Sequence, residues 1–180
     1  MRIIAGTLRG KQLSTPKDMR IRPTSDRARE AVYSIIFSKL ETPINECSVI
    51  DIFSGTGALG LEAASRGAKN VTFVDIDLTL TQKNAKLCGF KNLSFIKKDA
   101  RYLPKSAHFF DIIFLDAPYN QGLSEPTLKT ILAQGYCAAN SLIIVETAKA
   151  EELNYPSDLT LIDERIYGAA RFSFLTLSIS

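Results

Sequence analysis

Ser48-Val-Ile-Asp-Ile-Phe-Ser-Gly-Thr-Gly-Ala-Leu-Gly60 decides the fold. An apolar run, Ser48–Phe53, reads as a strand that breaks into glycines, and Gly55 to Arg66 reads as a turn leading into a helix. Gly55, Gly57 and Gly60 let backbone N–H groups come close to a ligand, and their spacing fits the Gly-x-Gly-x-x-Gly dinucleotide fingerprint. Asp75 ends the next apolar run, Val71–Asp75, twenty residues beyond Gly55. An acid at that place can accept both hydroxyls of a ribose. Strand, glycine turn, helix and distal acid form one βαβ unit.

The same rhythm continues outward. A helix near Leu78–Leu87 is closed by Gly89, a helix-stopping residue. Strands follow at Leu93–Lys97, at Phe110–Asp116 and, after a helix at Leu123–Ala133, at Ser141–Glu146. Phe110–Asp116 is nearly all apolar, as a strand buried on both faces should be. Alternation of this kind calls for a parallel sheet covered by helices on both sides. At the C-terminal end, Leu159–Tyr167 and Arg171–Ser178 are split only by Gly168-Ala-Ala, too short for a crossover helix, so they should form an antiparallel hairpin on the sheet edge. At the N-terminal end, Arg2–Leu13 should form a small hairpin turning near Gly6–Gly10. Apolar residues at Val32, Ile35, Ile36 and Leu40 give Ser25–Leu40 a helical spacing, with Ser25 or Asp26 as its cap. The expected fold is α/β: a mainly parallel seven-stranded sheet with a C-terminal antiparallel hairpin and a small N-terminal hairpin-plus-helix extension.

Length and composition agree with one compact domain. The chain has 180 residues, 46% hydrophobic and 23% charged, with a net charge of +3. No apolar run approaches the ~18 residues of a membrane span, and Met1-Arg2-Ile3-Ile4 leads into basic and polar residues rather than a signal core. Cys47, Cys88 and Cys137 are scattered without paired spacing, which points away from a disulfide framework or a zinc site and toward a reducing cytoplasm. The mild total charge hides an asymmetry: residues 1–40 hold nine basic and three acidic residues, and residues 41–180 hold thirteen basic and sixteen acidic. A basic N-terminal extension (1–40) joined to a mildly acidic core (41–180) favours contact with a polyanion. With no exposed apolar stripe evident, a monomer is expected.

A second group of residues carries chemistry. Asp116-Ala117-Pro118-Tyr119 ends the fourth strand and should face the same crevice as the glycine turn, because open α/β sheets bind ligands at the carboxyl ends of their strands. The Asp116 carboxylate and the Ala117 carbonyl are acceptors for the two N–H groups of an exocyclic amine. The Tyr119 ring can stack on a base, a contact worth about 1–3 kcal/mol. An aryl amine is a poor nucleophile because its lone pair is delocalised into the ring. Pinning both hydrogens at tetrahedral angles pulls the lone pair out of conjugation and aims it, so that catalysis is positioning plus electrostatics. Asp51, four residues before Gly55, suits a ligand with a cationic amino-acid end such as S-adenosylmethionine (SAM) and is awkward beside the pyrophosphate of a nicotinamide cofactor. Asp99, in Lys98-Asp99-Ala100 after the third strand, adds a polar group where an adenine edge can lie. Phe53, Thr56, Ile76 and Ala100 complete the expected cofactor surface.

The pairing of Asp51-Ile-Phe-Ser-Gly-Thr-Gly-Ala-Leu-Gly60 with Asp116-Ala-Pro-Tyr119 resembles the class I SAM-dependent amino-methyltransferases. Arg2-Ile-Ile-Ala-Gly-Thr-Leu-Arg-Gly10 and Arg22-Pro-Thr-Ser-Asp-Arg-Ala-Arg-Glu30 narrow the resemblance to the RsmD-type 16S rRNA guanine-N2 methyltransferases, over residues 2 to 178. It implies a Rossmann-like core, SAM as methyl donor, and as acceptor a guanine N2 in 16S rRNA within the small ribosomal subunit or an assembly intermediate. No metal is implied. The family has proline where this chain has Ala117, which leaves the loop less pre-set. Arg20, Arg22, Arg27 and Arg29 are then expected to contact RNA phosphates, since backbone neutralisation dominates RNA affinity; the competing expectation is that they order the segment through ion pairs. Other acceptors within the same chemistry are a DNA amine, another RNA or a glutamine amide. A nicotinamide-dependent reductase is the alternative from a different class, weakened by the placement of His108, the only histidine, in a polar loop before the fourth strand.

Overall fold

The computed structural model of the protein describes residues 1–16 and 25–178. Strands β1 (Ser48–Ile52), β2 (Asn70–Asp75), β3 (Leu93–Lys97), β4 (Phe110–Leu115), β5 (Cys137–Ala148), β6 (Leu159–Tyr167) and β7 (Ala170–Leu177) form one sheet in the order β3-β2-β1-β4-β5-β7-β6. The first five strands are parallel to one another, and β7 is antiparallel to β5 and to β6. Helices α1 (Asp26–Lys39), α2 (Ala58–Ser65), α3 (Thr79–Cys88) and α4 (Ser124–Ala133) cover it.

Alternation along the strands divides the core into two. Val49, Val71, Phe73, Ile112, Phe114, Ile144, Phe172 and Phe174 pack on one face, with Val32 and Ile36 of α1, Leu61 of α2 and Ala85 of α3. Their neighbours Ile50, Ile52, Val74, Ile113, Leu115, Ile143, Val145 and Leu175 pack on the other face, with Leu128 and Ile131 of α4. Period-two side-chain direction explains both sets, and strands buried on both faces read as continuous apolar runs.

One element boundary departs most from the sequence expectation. The fifth strand begins at Cys137 rather than Ser141, because the register with β4 shifts between Phe110 and Ile112 and admits extra residues. Ser141 secures that irregular stretch, its Oγ donating to the Phe110 carbonyl at 2.6 Å and accepting from the Ala138 N–H at 2.7 Å.

The N-terminal hairpin is present but short: it is built on one antiparallel bridge, Arg2 to Gln12, with the Leu13 N–H donating to the Met1 carbonyl at 3.0 Å, the Ile3 N–H to the Lys11 carbonyl at 2.9 Å and the Gly10 N–H to the Ile3 carbonyl at 2.8 Å. The pairing extends no further because the donors of Ile4, Ala5, Thr7 and Leu8 are directed at α2. The Ile4 and Ala5 N–H groups donate to the Glu62 carboxylate at 2.7 and 2.9 Å. The Thr7 N–H donates to the Ser65 carbonyl at 2.8 Å and the Leu8 N–H to Ser65 Oγ at 3.0 Å. Ser25 caps α1, its Oγ accepting from the Ala28 N–H at 3.2 Å, and Gly89 closes α3 in the left-handed conformation.

Candidate active site

Strand order turns outward in opposite directions from β1 and β4: β2 and β3 lie beyond β1, β5 beyond β4. A crevice therefore opens at the carboxyl ends of β1 and β4, where ligands bind in doubly wound sheets. Ile52 is in register with Leu115, and the Asp116 N–H donates to the Ile52 carbonyl at 3.2 Å. The two motifs that lie more than fifty residues apart in sequence thus leave the sheet side by side.

The glycine turn is braced from below. Phe53 has φ +62°, a left-handed conformation costly for a side chain with a Cβ, and its N–H donates to the Val74 carbonyl at 2.9 Å. Asp51, almost fully buried, accepts the Gly60 N–H on Oδ2 at 2.8 Å and fastens the first turn of α2 to β1. Gly60 is needed for close packing: a Cβ there would lie 2.4 Å from the Phe73 ring. Gly57 stands at the mouth of α2 as its N-cap, with φ +76°. A Cβ on Gly57 would lie 2.9 Å from Thr81 Cγ2 of α3, so the residue lets the turn settle against that helix. Above the turn, Asp75 accepts the Gly55 N–H at 2.9 Å and the Asp77 N–H at 3.1 Å. Its carboxylate stands at the end of β2, where the ribose acid is expected. The next residue, Ile76, is an apolar side chain left 68% exposed.

The expectation that these glycines present N–H groups to a ligand needs correcting. The Gly57 N–H donates to the Ser54 carbonyl at 2.6 Å, inside the turn itself. Those of Gly55 and Gly60 are taken by Asp75 and Asp51. All three N–H groups are used to fold the turn, so the glycines contribute tight backbone curvature and close packing to the crevice.

Three acids meet across the crevice. Burial pushes the Asp51 carboxyl up to about 7, opposed by the Gly60 N–H and assisted by the Asp75 charge. Asp116 is pushed far above the usual carboxylate range by burial, by Glu146 and by Asp51. Tyr119 donates its hydroxyl to Glu146 Oε1 at 2.6 Å, and burial together with that carboxylate raises the phenol. A recess in which carboxyl groups oppose one another's ionisation fits a cationic ligand and repels a pyrophosphate. Asp51, Asp75 and Ile76 are the residues here that fit SAM, with the glycine turn between them. Ala117 is buried against the α4 face of the core, so its methyl packs while its carbonyl remains the candidate acceptor beside Asp116.

The remaining expected residues fall in different places. Asp99 caps the short 3-10 turn Ala100–Tyr102 and is gripped by Arg101, whose Nη2 lies 2.6 Å from Oδ2. Those hydrogen bonds hold the Asp99 carboxyl below its ordinary value. Ala100 is buried beneath it. Arg20 and Arg22 lie outside the described residues. Arg27 is exposed on α1.

Arg29 is a correction. It is 1% exposed, and its Nη2 donates to the Arg2 carbonyl and to Asp26 Oδ1, both at 2.7 Å. A guanidinium so enclosed orders the arm against α1 and does not meet an RNA phosphate. Its position falls on the same helical stripe as Val32, Tyr33 and Ile36, all buried, which is the sequence signal for its burial.

Sequence reasoning missed three residues that build the site. Glu146 ends the run read as the fifth strand, so the strand-end rule that singles out Asp116 applies to it equally. Asn84, fully buried on α3, donates from Nδ2 to the Thr56 carbonyl at 2.8 Å and to the Ser14 carbonyl at 3.0 Å. Its Oδ1 accepts from the Ser14 N–H at 2.7 Å, so the arm is tied directly to the glycine turn. Glu62 is 1% exposed and holds the arm from the other side. Neither Asn84 nor Glu62 belongs to a motif with a readable spacing.

Among the described residues no group of three or more His, Cys, Asp or Glu is arranged to hold a metal, and no helix is long and apolar enough to cross a membrane.

Residues 1–176 match the family model described as Conserved hypothetical protein 95. The chain is 32% identical over 185 residues to Ribosomal RNA small subunit methyltransferase D of Haemophilus influenzae, covering 96% of this chain and 91% of that protein. It is 34% identical over 182 residues to the protein of the same name from Escherichia coli, covering 96% and 87%. The solved structure of yhhF from Escherichia coli superposes with a TM-score of 0.84 at 29% identity, covering 100% of this chain and 99% of that one. The architecture is the class I methyltransferase fold.

Proposed function

The chain belongs to the Conserved hypothetical protein 95 family, among its RsmD-like rRNA methyltransferases, and from that membership we propose that it transfers a methyl group from SAM to the exocyclic N2 of a guanine in 16S rRNA. The substrate is the small ribosomal subunit or an assembly intermediate in the cytoplasm, and the whole chain acts as one unit, a basic extension (1–40) on a catalytic core (41–180). The observation that carries this reading is the meeting of the glycine turn with Asp116-Ala-Pro-Tyr119 in a recess lined by Asp51, Asp116 and Glu146. SAM supplies an electrophilic methyl group and positive charge. Asp75 receives the ribose hydroxyls, Ile76 lies under the adenine, and Asp51 answers the cationic amino-acid end. Asp116 and the Ala117 carbonyl accept hydrogen bonds from the two amine N–H groups, one of which gives up its proton as the methyl group is received, and Tyr119 stacks on the base.

The same acids support guanine as the base. The amine of guanine sits beside a ring N–H donor, whereas the amines of adenine and cytosine sit beside a ring-nitrogen lone pair. Neighbouring acceptor oxygens, those of the acids and of the Ala117 carbonyl, favour the first pattern and repel the second. They also oppose the nicotinamide alternative, whose pyrophosphate would add negative charge to the recess. Arg27, with Arg20 and Arg22, supplies phosphate contacts.

The transfer is tested with tritiated-methyl SAM and small subunits from a strain lacking the corresponding enzyme. Label is expected in 16S rRNA; its absence from subunits and their assembly intermediates defeats the reading.

Asp51 gives a second expectation. Its folded value near 7 lies above the unfolded value of 3.8, so its contribution to stability is complete below the unfolded value and is lost as pH rises through the folded one. Asp51→Asn removes that loss and keeps an oxygen for the Gly60 N–H. The variant should melt at least ~3 °C above the natural protein at pH 8, yet bind SAM at least ~10-fold more weakly, since a hydrogen-bonded charge is lost. Melting curves from about pH 4 to 8, spanning both values, and calorimetric titration with SAM check both. A lower melting temperature at the alkaline end, or unchanged affinity, contradicts the assignment.

A further inference from the structure

Tyr119 sits on a loop, 37% exposed, and the stacking assigned to it needs a ring held in one plane. The loop backbone is pinned just beyond it: Asn120 has φ +57°, and its N–H donates to Glu151 Oε2 at 3.0 Å. The ring itself has a separate anchor. Glu146 is 4% exposed near the end of β5, paired in register with Phe172 of β7. The sheet thus fixes it on the β7 side; on the β4 side, Leu115 and Val145 are the last residues in register, and Asp116 and Glu146 follow them directly. Glu146 Oε1 accepts the Tyr119 hydroxyl at 2.6 Å, a short bond to a carboxylate and among the stronger kinds of side-chain hydrogen bond.

We propose that Glu146 is the positioning residue of the acceptor site: through the Tyr119 hydroxyl it sets the plane of the ring on which the target base stacks, and so the distance between the base amine and Asp116. The inference rests on the proposed function for its consequence in catalysis, but the anchoring of the ring is a property of the protein alone. A residue that only fills the core at the end of β5 would affect stability. One that sets the ring plane affects turnover through Tyr119, because an error of about 1 Å in a reacting group costs on the order of 100-fold.

The test is a double-mutant cycle with a chemical readout beside it. Glu146→Ala and Tyr119→Phe should each lower single-turnover methyl transfer by about 10- to 100-fold, with SAM affinity within about twofold of the natural protein. The double variant should be no slower than the slower single variant, because both remove the same contact. Glu146→Gln keeps an oxygen that accepts the hydroxyl, and should recover at least ~5-fold over Glu146→Ala. Independently of any transfer, tetranitromethane at mildly alkaline pH attacks phenolates. Burial and the Glu146 charge disfavour the Tyr119 phenolate, so mapping by mass spectrometry should find Tyr119 protected in the natural protein and nitrated in Glu146→Ala. Tyr102, 66% exposed, serves as the reactive control in both. Full turnover by Tyr119→Phe, additive losses in the double variant, or equal nitration of Tyr119 with and without Glu146 overturns the proposal. If the natural protein methylates no ribosomal particle, the proposed function falls while the nitration result still decides whether Glu146 holds the ring.

Discussion

Asp116→Ala should lower methyl transfer by at least ~1,000-fold while SAM affinity stays within about threefold of the natural value. The side chain lies where the loop after β4 leaves the sheet beside the glycine turn, and its assigned task is to accept a hydrogen bond from the target amine. Without that acceptor the amine lone pair stays conjugated with the base, and nothing sets its direction across the crevice. The cofactor contacts assigned to Asp51, Asp75 and Ile76 are untouched. Loss of folding does not account for the effect, because burial and the neighbouring Glu146 oppose ionisation of Asp116; removing the carboxyl relieves that repulsion, and the variant should melt at or above the temperature of the natural protein. Single-turnover labelling at saturating SAM, with calorimetry on the same preparation, measures both quantities. Turnover within about tenfold of the natural protein, far short of the loss expected from removing such an acceptor, removes Asp116 from the chemistry.

Gly6→Ala should be the most damaging single methyl added to this chain. Gly6 has φ +80°, and a Cβ built there would lie 1.8 Å from the Ser65 carbonyl oxygen and 2.2 Å from its carbon. The neighbour is backbone inside the last turn of α2, so it cannot rotate aside. The left-handed conformation alone costs an alanine about 1–2 kcal/mol. To clear the contact the arm must lift, breaking the bonds from Thr7 and Leu8 to Ser65 and those from Ile4 and Ala5 to Glu62. Glu62 would then be a buried carboxylate left with Arg66 at 2.8 Å as its remaining strong partner. A total of roughly 3–5 kcal/mol is expected, a fall in melting temperature of about 10 °C. Gly10→Ala is the matched control: φ is +86°, but no atom lies within 4 Å of the added Cβ, so only the conformational cost of about 1–2 kcal/mol applies. Equal melting temperatures for the two variants contradict the arm's role as a fixed part of the fold. A lifted arm also releases Ser14 from Asn84, which holds the Thr56 carbonyl, so Gly6→Ala should weaken SAM binding as well.

The contrast between these two variants shows how much the sequence discloses. Asp51, Gly55, Gly57, Gly60, Asp75 and Asp116 are legible because strand ends and close backbone turns impose residue types at fixed spacings, and the parallel sheet brings those ends together whatever the loops between them. Both faces of the core follow from period-two alternation in the same strands. What stays hidden depends on contacts between segments far apart in the chain. The spacing of the glycines reveals a tight turn, but not that Ser54, Asp51 and Asp75 consume its N–H groups. Gly6 reads as an ordinary turn glycine until Ser65 is placed against it. Glu62 reads as a surface acid on a short helix until the arm's N–H groups arrive. Arg29 misleads in the opposite sense: as one of several arginines it suggests a phosphate contact, although its spacing with Val32, Tyr33 and Ile36 places it on the buried side of α1. Glu146 lies in plain view at the end of a recognisable strand, and Tyr119 belongs to a recognisable motif. Only the pairing of β4 with β5 puts the two within hydrogen-bonding distance.

The central claim is that the recess between the glycine turn and Asp116-Ala-Pro-Tyr119 methylates a guanine amine. It is tested most directly by digesting 16S rRNA from small subunits treated with the protein and SAM, and identifying the labelled nucleoside by liquid chromatography and mass spectrometry. N2-methylguanosine, at one position and absent when Asp116→Ala replaces the natural protein, is the predicted result. Label recovered as a methylated adenosine or cytidine, or N2-methylguanosine formed equally well by Asp116→Ala, would contradict it.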